Sequence, residues 1–177
     1  MPFDDIHFEI VRREVSRHLE DTETSKLAHW HSADVYGSRN RWMIGVPATI
    51  LSIALTWMLA ADTKVIFSFE KAPVFLSLIV SMLTGVGAFL NLSDLAVRHR
   101  TTAENLSGLW RDCKNWDTEY PDASLCEKAV QTALIYRRRL NEINKDAPPI
   151  PKWAWKSVNR QRAEGSVSYK IDNSQSH

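Results

Sequence analysis

The sequence predicts an all-α membrane protein: a two-transmembrane helical hairpin with a small cytosolic helical bundle. Three observations lead there. Residues 42–61 and 72–93 contain no Asp, Glu, Lys or Arg. Each window is about as long as a membrane span, because about 20 residues at 1.5 Å rise cover roughly 30 Å of hydrocarbon. The flanking segments are densely charged and repeat their apolar residues every three or four positions, the spacing of amphipathic helices. The averages conceal this partition. With 22 basic and 21 acidic side chains among 177 residues and a mean hydropathy of -0.29, the whole chain reads as an ordinary soluble domain.

Residues 1–41 are predicted to form a cytosolic amphipathic helix, with Val15, Leu19, Thr22, Lys26, Trp30, Ala33 and Gly37 on a loose stripe. The first apolar run starts too late for a secretory signal. Residues 42–61 follow as the first transmembrane helix, 62–71 as a short extracytosolic loop and 72–92 as the second transmembrane helix. Residues 93–147 are expected to continue that helix into the cytosol and then form a C-terminal helix. The stripe Leu92, Leu95, His99, Thr102, Leu106, Leu109, Cys113 and Trp116 predicts one helix from about Pro73 to Glu119. Pro121 ends it, since proline disfavours helix at the residue before it. Asp122 can cap the next helix, whose face carries Leu125, Ala129, Ala133, Tyr136, Leu140 and Ile143. Residues 148–177 open on prolines and form a basic, Trp-containing tail, partly disordered and frayed from about Gly165.

With two spans, both termini share one side. Arg39, Arg41, Arg98 and Arg100 flank the spans, while the loop's Lys64 and Lys71 are offset by Asp62 and Glu70. The positive-inside rule places the termini in the cytosol, and a bacterial inner membrane is the expected location. Cys113 and Cys126 both fall on that side and imply no disulfide framework.

Small and hydroxylated residues recur at helical spacing in both spans: Gly45, Thr49, Ser52 and Thr56 in the first, and Ser77, Ser81, Thr84, Ala88 and Asn91 in the second, with Gly85 beside them. Such residues let membrane helices approach closely. The same residues can line an oligomeric pore. The second stripe runs into the Leu95–Trp116 stripe, which favours one continuous helix–helix contact. Pro47 removes a backbone donor near the start of its span. No ionisable residue lies within either span, which argues against a proton relay there. Selectivity would then rest on mouth residues such as Asp62, Glu70, Asp94 and Arg98.

Other chemistry is sparse. His29, His31 and Asp34 make a weak metal-ligand set, and ordinary surface or interface histidines are the stronger reading. His99 lies on the packing stripe. No phosphate loop, nucleophile elbow or HExxH run is present, so an enzyme, a cofactor or a bound metal is not expected. Arg137, Arg138 and Arg139, with Lys152, Lys156 and Arg160 among tryptophans, suit a membrane surface, an anionic ligand or a solvated face docked on the bundle. Direct nucleic-acid binding is not expected.

Several stretches carry a resemblance: AHWHSADVYGSRNRW, GVPATILSIALTWML, NLSDLAVRHRTTAENLSGLWRD and APPIPKWAW. Over residues 25–156 the chain resembles the SLATT family, the two-transmembrane effector domains of bacterial conflict and anti-phage systems. The resemblance implies a membrane-permeabilising effector that forms homo-oligomeric pores in the lipid bilayer. It also implies a trigger from a signalling partner, a nucleotide synthase or sensor or a reverse-transcriptase system. A non-conducting membrane-anchored module that recruits a cytosolic partner is the alternative.

Overall fold

A computed structural model describes residues 3–60 and 71–164. Among these residues all regular structure is helical: α1 (Phe3–Arg39), a π-helical turn (Asn40–Gly45), α2 (Val46–Ala60), α3 (Ala72–Leu90), α4 (Leu92–Glu119), a 3-10 turn (Ala123–Leu125), α5 (Cys126–Asp146) and α6 (Lys152–Ala163). The chain divides into two compact units, one of residues 1–33 and 98–177, the other of residues 34–97.

The first unit has a conventional core. Phe8, Val11 and Val15 of α1 meet Leu106, Leu109, Cys113 and Trp116 of α4 and Ala129, Ala133 and Leu140 of α5. Phe8 stacks on Trp116 with ring centroids 5.5 Å apart, and Trp116 also meets Tyr120 at 5.5 Å. Each large apolar side chain removed from water here contributes roughly 1.5–3 kcal/mol. The stripe expected on α4 is the buried face: His99, Thr102, Leu106, Leu109, Cys113 and Trp116 are all buried. On α5, Ala129, Ala133 and Leu140 are buried, whereas Leu125 remains exposed. Small Ala129 and Ala133 bring the α5 backbone close enough for the Tyr136 hydroxyl to donate to the Asp112 carbonyl at 3.2 Å.

The turn between α4 and α5 follows local chemistry. Asp122 is extended and its carboxylate accepts from the Ser124 N–H at 2.8 Å. Hydrogen bonding from the Ser124 side chain, and then from its N–H, holds the Asp122 carboxyl below the usual range. Residues after the prolines form α6, an ordered helix where sequence reading placed only a tail. Its Ala154 and Val158 are buried, and Pro151 supplies the carbonyl that accepts from the Ala154 N–H at 3.0 Å.

Among the described residues two helices, Asp5–Ala60 and Ala72–Glu119, are long and apolar enough to cross a membrane, and α2 and α3 of the second unit are their apolar parts. α2 and α3 pack on each other. Pro47 lacks an N–H and cannot bond to the carbonyl four residues back. The preceding turn widens accordingly, and the Val46 N–H bonds to the Arg41 carbonyl, five residues back. The helix expected over 73–119 is interrupted at one residue. Asn91 is left-handed, with φ 44° and ψ 39°, while the Asn91 N–H bonds to Gly87 O and the Leu95 N–H to Asn91 O, both at 3.1 Å. Asparagine enters this region more readily than most side chains, and hydrogen bonding continues across the break.

Candidate functional site

The apolar helices have no interior of their own. No residue of α2 or α3 is buried. Phe89 is 88% exposed, Leu59 69%, Val74 68% and Met82 64%. Soluble monomers rarely expose contiguous apolar patches beyond a few hundred Å². A core helix of a soluble protein is mostly buried, whereas among the described residues these apolar windows bury none.

Thr49, Ser52 and Thr56 lie exposed on α2, where they and Ala48, Ile53, Trp57 and Ala60 line a shallow groove. Their hydroxyls donate to the carbonyls of Gly45, Ala48 and Ser52 at 2.8, 2.7 and 2.8 Å. Gly45 is exposed at the end of the π-helical turn. On α3, Ser77 is half-buried and donates to Val74 O at 2.8 Å. Ser81, Thr84, Gly85 and Ala88 are exposed, as is Asn91 at the left-handed joint. Thr84 donates to Val80 O at 2.8 Å. Serine and threonine in apolar helices satisfy themselves this way.

The close approach between these helices uses another residue. A Cβ added to Gly87 would stand 2.8 Å from Cγ2 of Ile44, whereas one on Gly85 would meet nothing within 4 Å. Within one chain, then, Thr49, Ser52, Thr56, Ser81, Thr84 and Ala88 remain exposed while Gly87 makes the close contact. Asp94 and Arg98, the mouth residues that can be placed, are exposed on α4. Asp62 and Glu70 lie outside the described residues.

The first unit carries a buried polar pair that the spacing did not reveal. His29 is 2% exposed and His99 fully buried, with their Nδ1 atoms 2.8 Å apart. One neutral ring must donate and the other accept. Burial, and then the neighbouring His99, lowers the His29 pKa from 6.5 to about 4. Burial, then Arg98, lowers that of His99. The sequence signal was present: positions 22, 26, 29 and 33 keep helical spacing, and a stripe drawn through 30 misses the histidine. His31 turns to α6, its ring 5.4 Å from that of Trp153 in an edge-to-face contact. Asp34 is exposed, and among the described residues no cluster of three or more His, Cys, Asp or Glu side chains could hold a metal ion.

The basic residues are dispersed among partners. Arg139 holds Asp112 at 2.6 Å, Arg137 stands 3.9 Å from Glu14, and Arg160 holds Glu164 at 2.7 Å. Arg138, Lys152 and Lys156 are exposed. These are surface ion pairs, each worth at most about 1 kcal/mol.

Comparison with known protein families, with curated proteins and with solved structures finds no match.

Proposed function

We propose that this chain is a two-span membrane protein of the inner-membrane effector type, whose copies associate through α2 and α3 to permeabilise the bilayer. The observation that carries the reading is that two adjacent apolar helices bury none of their residues. In water that surface costs about 25 cal/mol per Å²; in lipid it costs nothing. α2 and α3 then form a transmembrane hairpin, and Arg39, Arg41, Arg98 and Arg100 hold both termini in the cytosol. A lone hairpin encloses no conduit, so conduction requires several copies. The outward stripes of Thr49, Ser52 and Thr56 and of Ser81, Thr84 and Ala88 supply their contacts or the lining. The SLATT resemblance of residues 25–156 supports the anti-phage setting and a trigger from a signalling partner.

The test is dye and ion leakage from cells or liposomes containing the full chain. Leakage under the triggering condition, weakened by Ser81→Leu or Gly85→Leu, is expected. An intact membrane potential at full induction with the trigger present defeats the proposal.

A second reading has its own observation. The first unit has a separate core, and exposed Ile6 and Ile10 line a groove with Arg13, Arg17 and Asp122. On that reading the hairpin only anchors a module that recruits a partner. Function that survives replacement of the hairpin by another membrane anchor favours it.

A further inference from the structure

We propose that Lys26 and Lys114, which meet at the ring of Trp110, form with the adjoining Arg111 a binding site for a polyanionic, phosphate-bearing small molecule. The Lys26 Nζ of α1 stands 3.9 Å from the Trp110 centroid, and the Lys114 Nζ of α4 stands 5.0 Å from it. Arg111 adjoins the same ring in sequence and acts electrostatically on Lys26. Two helices thus bring two ammonium groups to one indole.

Like charges repel, so such a gathering normally carries carboxylates within it. Here the nearest acids on α4 are engaged elsewhere. Asp112 is held by Arg139 at 2.6 Å and Asp117 by Arg12 at 3.0 Å. Among the described residues no carboxylate lies within 4.0 Å of Lys26, Arg111 or Lys114. Among the described residues Glu23, one turn before Lys26, is the acid that acts on it. The indole Nε1 of Trp110 is a buried donor without an acceptor. Buried donors are ordinarily satisfied, and an unmet one is costly.

Cationic donor groups without carboxylate partners match an anion with more than one charge and several acceptor oxygens. Phosphate and pyrophosphate groups have that chemistry, and Arg binds them through paired N–H groups while Lys acts as a point charge. The site is independent of whether the protein conducts.

The experiment uses the full chain in lipid nanodiscs and reads the thermal unfolding midpoint. One arm titrates inorganic pyrophosphate into phosphatidylcholine discs; the other compares those discs with ones containing phosphatidylinositol phosphate. A saturable rise in the first arm assigns a soluble ligand; a rise in the second alone assigns a headgroup. In the responding arm, Lys26→Gln and Lys114→Gln should each weaken binding by about tenfold or more, while Arg138→Gln stays within about twofold. Lys114 is exposed, so its substitution reports even where Lys26→Gln impairs folding. The proposal falls when neither arm responds, when chloride at equal ionic strength reproduces the shift, or when Arg138→Gln weakens binding as much.

Discussion

His29 of α1 and His99 of α4 share one hydrogen bond between their Nδ1 atoms, 2.8 Å apart and shielded from water. Both rings are held neutral, with the His29 pKa lowered to about 4 and that of His99 lowered from 6.5. An unfolded chain therefore binds protons that the folded one refuses as pH falls below about 6.5. Stability should be full above that value and decline towards about pH 4, where His29 itself titrates. Thermal unfolding followed between those limits should show the decline. His29→Gln, whose side chain does not titrate, should make it shallower, leaving the part that His99 contributes.

The Phe8–Trp116 stack joins α1 to α4 at the centre of the first unit. Trp116→Ala should cost about 3–5 kcal/mol, the range for emptying a large aromatic site. Denaturant unfolding of the cytosolic helices gives the measurement. A loss below about 1 kcal/mol would mean that this core closes over the vacancy.

Gly87 and Gly85 lie two residues apart on α3 and should answer substitution oppositely. An added methyl at Gly87 meets Cγ2 of Ile44 at 2.8 Å; at Gly85 it meets open space. Ile44 is β-branched and stiff in a helix, so Gly87→Ala should cost about 1–3 kcal/mol as overpacking. Gly85→Ala should be neutral or slightly stabilising, because alanine is the better helix former by about 1 kcal/mol. Ile44→Ala should suppress the Gly87→Ala defect when the two are combined, a coupling that a double-mutant cycle reads directly.

Cys113 is 4% exposed, and burial, with Asp112 second, pushes its thiol up to about 12. A thiol reagent near pH 8 should spare it in the folded protein and modify it on unfolding. Half-buried Cys126 should label first. Mass spectrometry of alkylated peptides separates the two.

Much of the helical organisation is legible in the sequence, for identifiable reasons. On α4 a three-and-four repeat over 25 positions leaves one face to bury, and His99 to Trp116 bury it. Asp122 is legible as a cap because an extended Asp before a turn accepts a backbone N–H. The break at Asn91 is not, since an asparagine amid apolar residues looks the same whether its φ is positive or negative. α6 is hidden by the prolines before it, which read as an end although Pro151 provides its first acceptor. The small-residue stripes show a different limit. Periodicity tells which residues share a face, and only packing tells which face meets a neighbour; Gly87 meets Ile44 while Ser81 and Thr84 point outward. The cation cluster at Trp110 joins residues more than eighty positions apart and leaves no local pattern.

The hydroxyls on α2 and α3 have a consequence for electrical sign. Each has one hydrogen, and at Thr49, Ser52, Thr56, Ser77 and Thr84 that hydrogen is committed to a carbonyl of its own helix. What remains to face outward is oxygen lone pairs. A row of such oxygens coordinates a sodium or potassium ion or receives a hydrogen from water, yet offers nothing to chloride or phosphate. Wherever these faces meet an ion, they should discriminate by charge without a single ionised side chain.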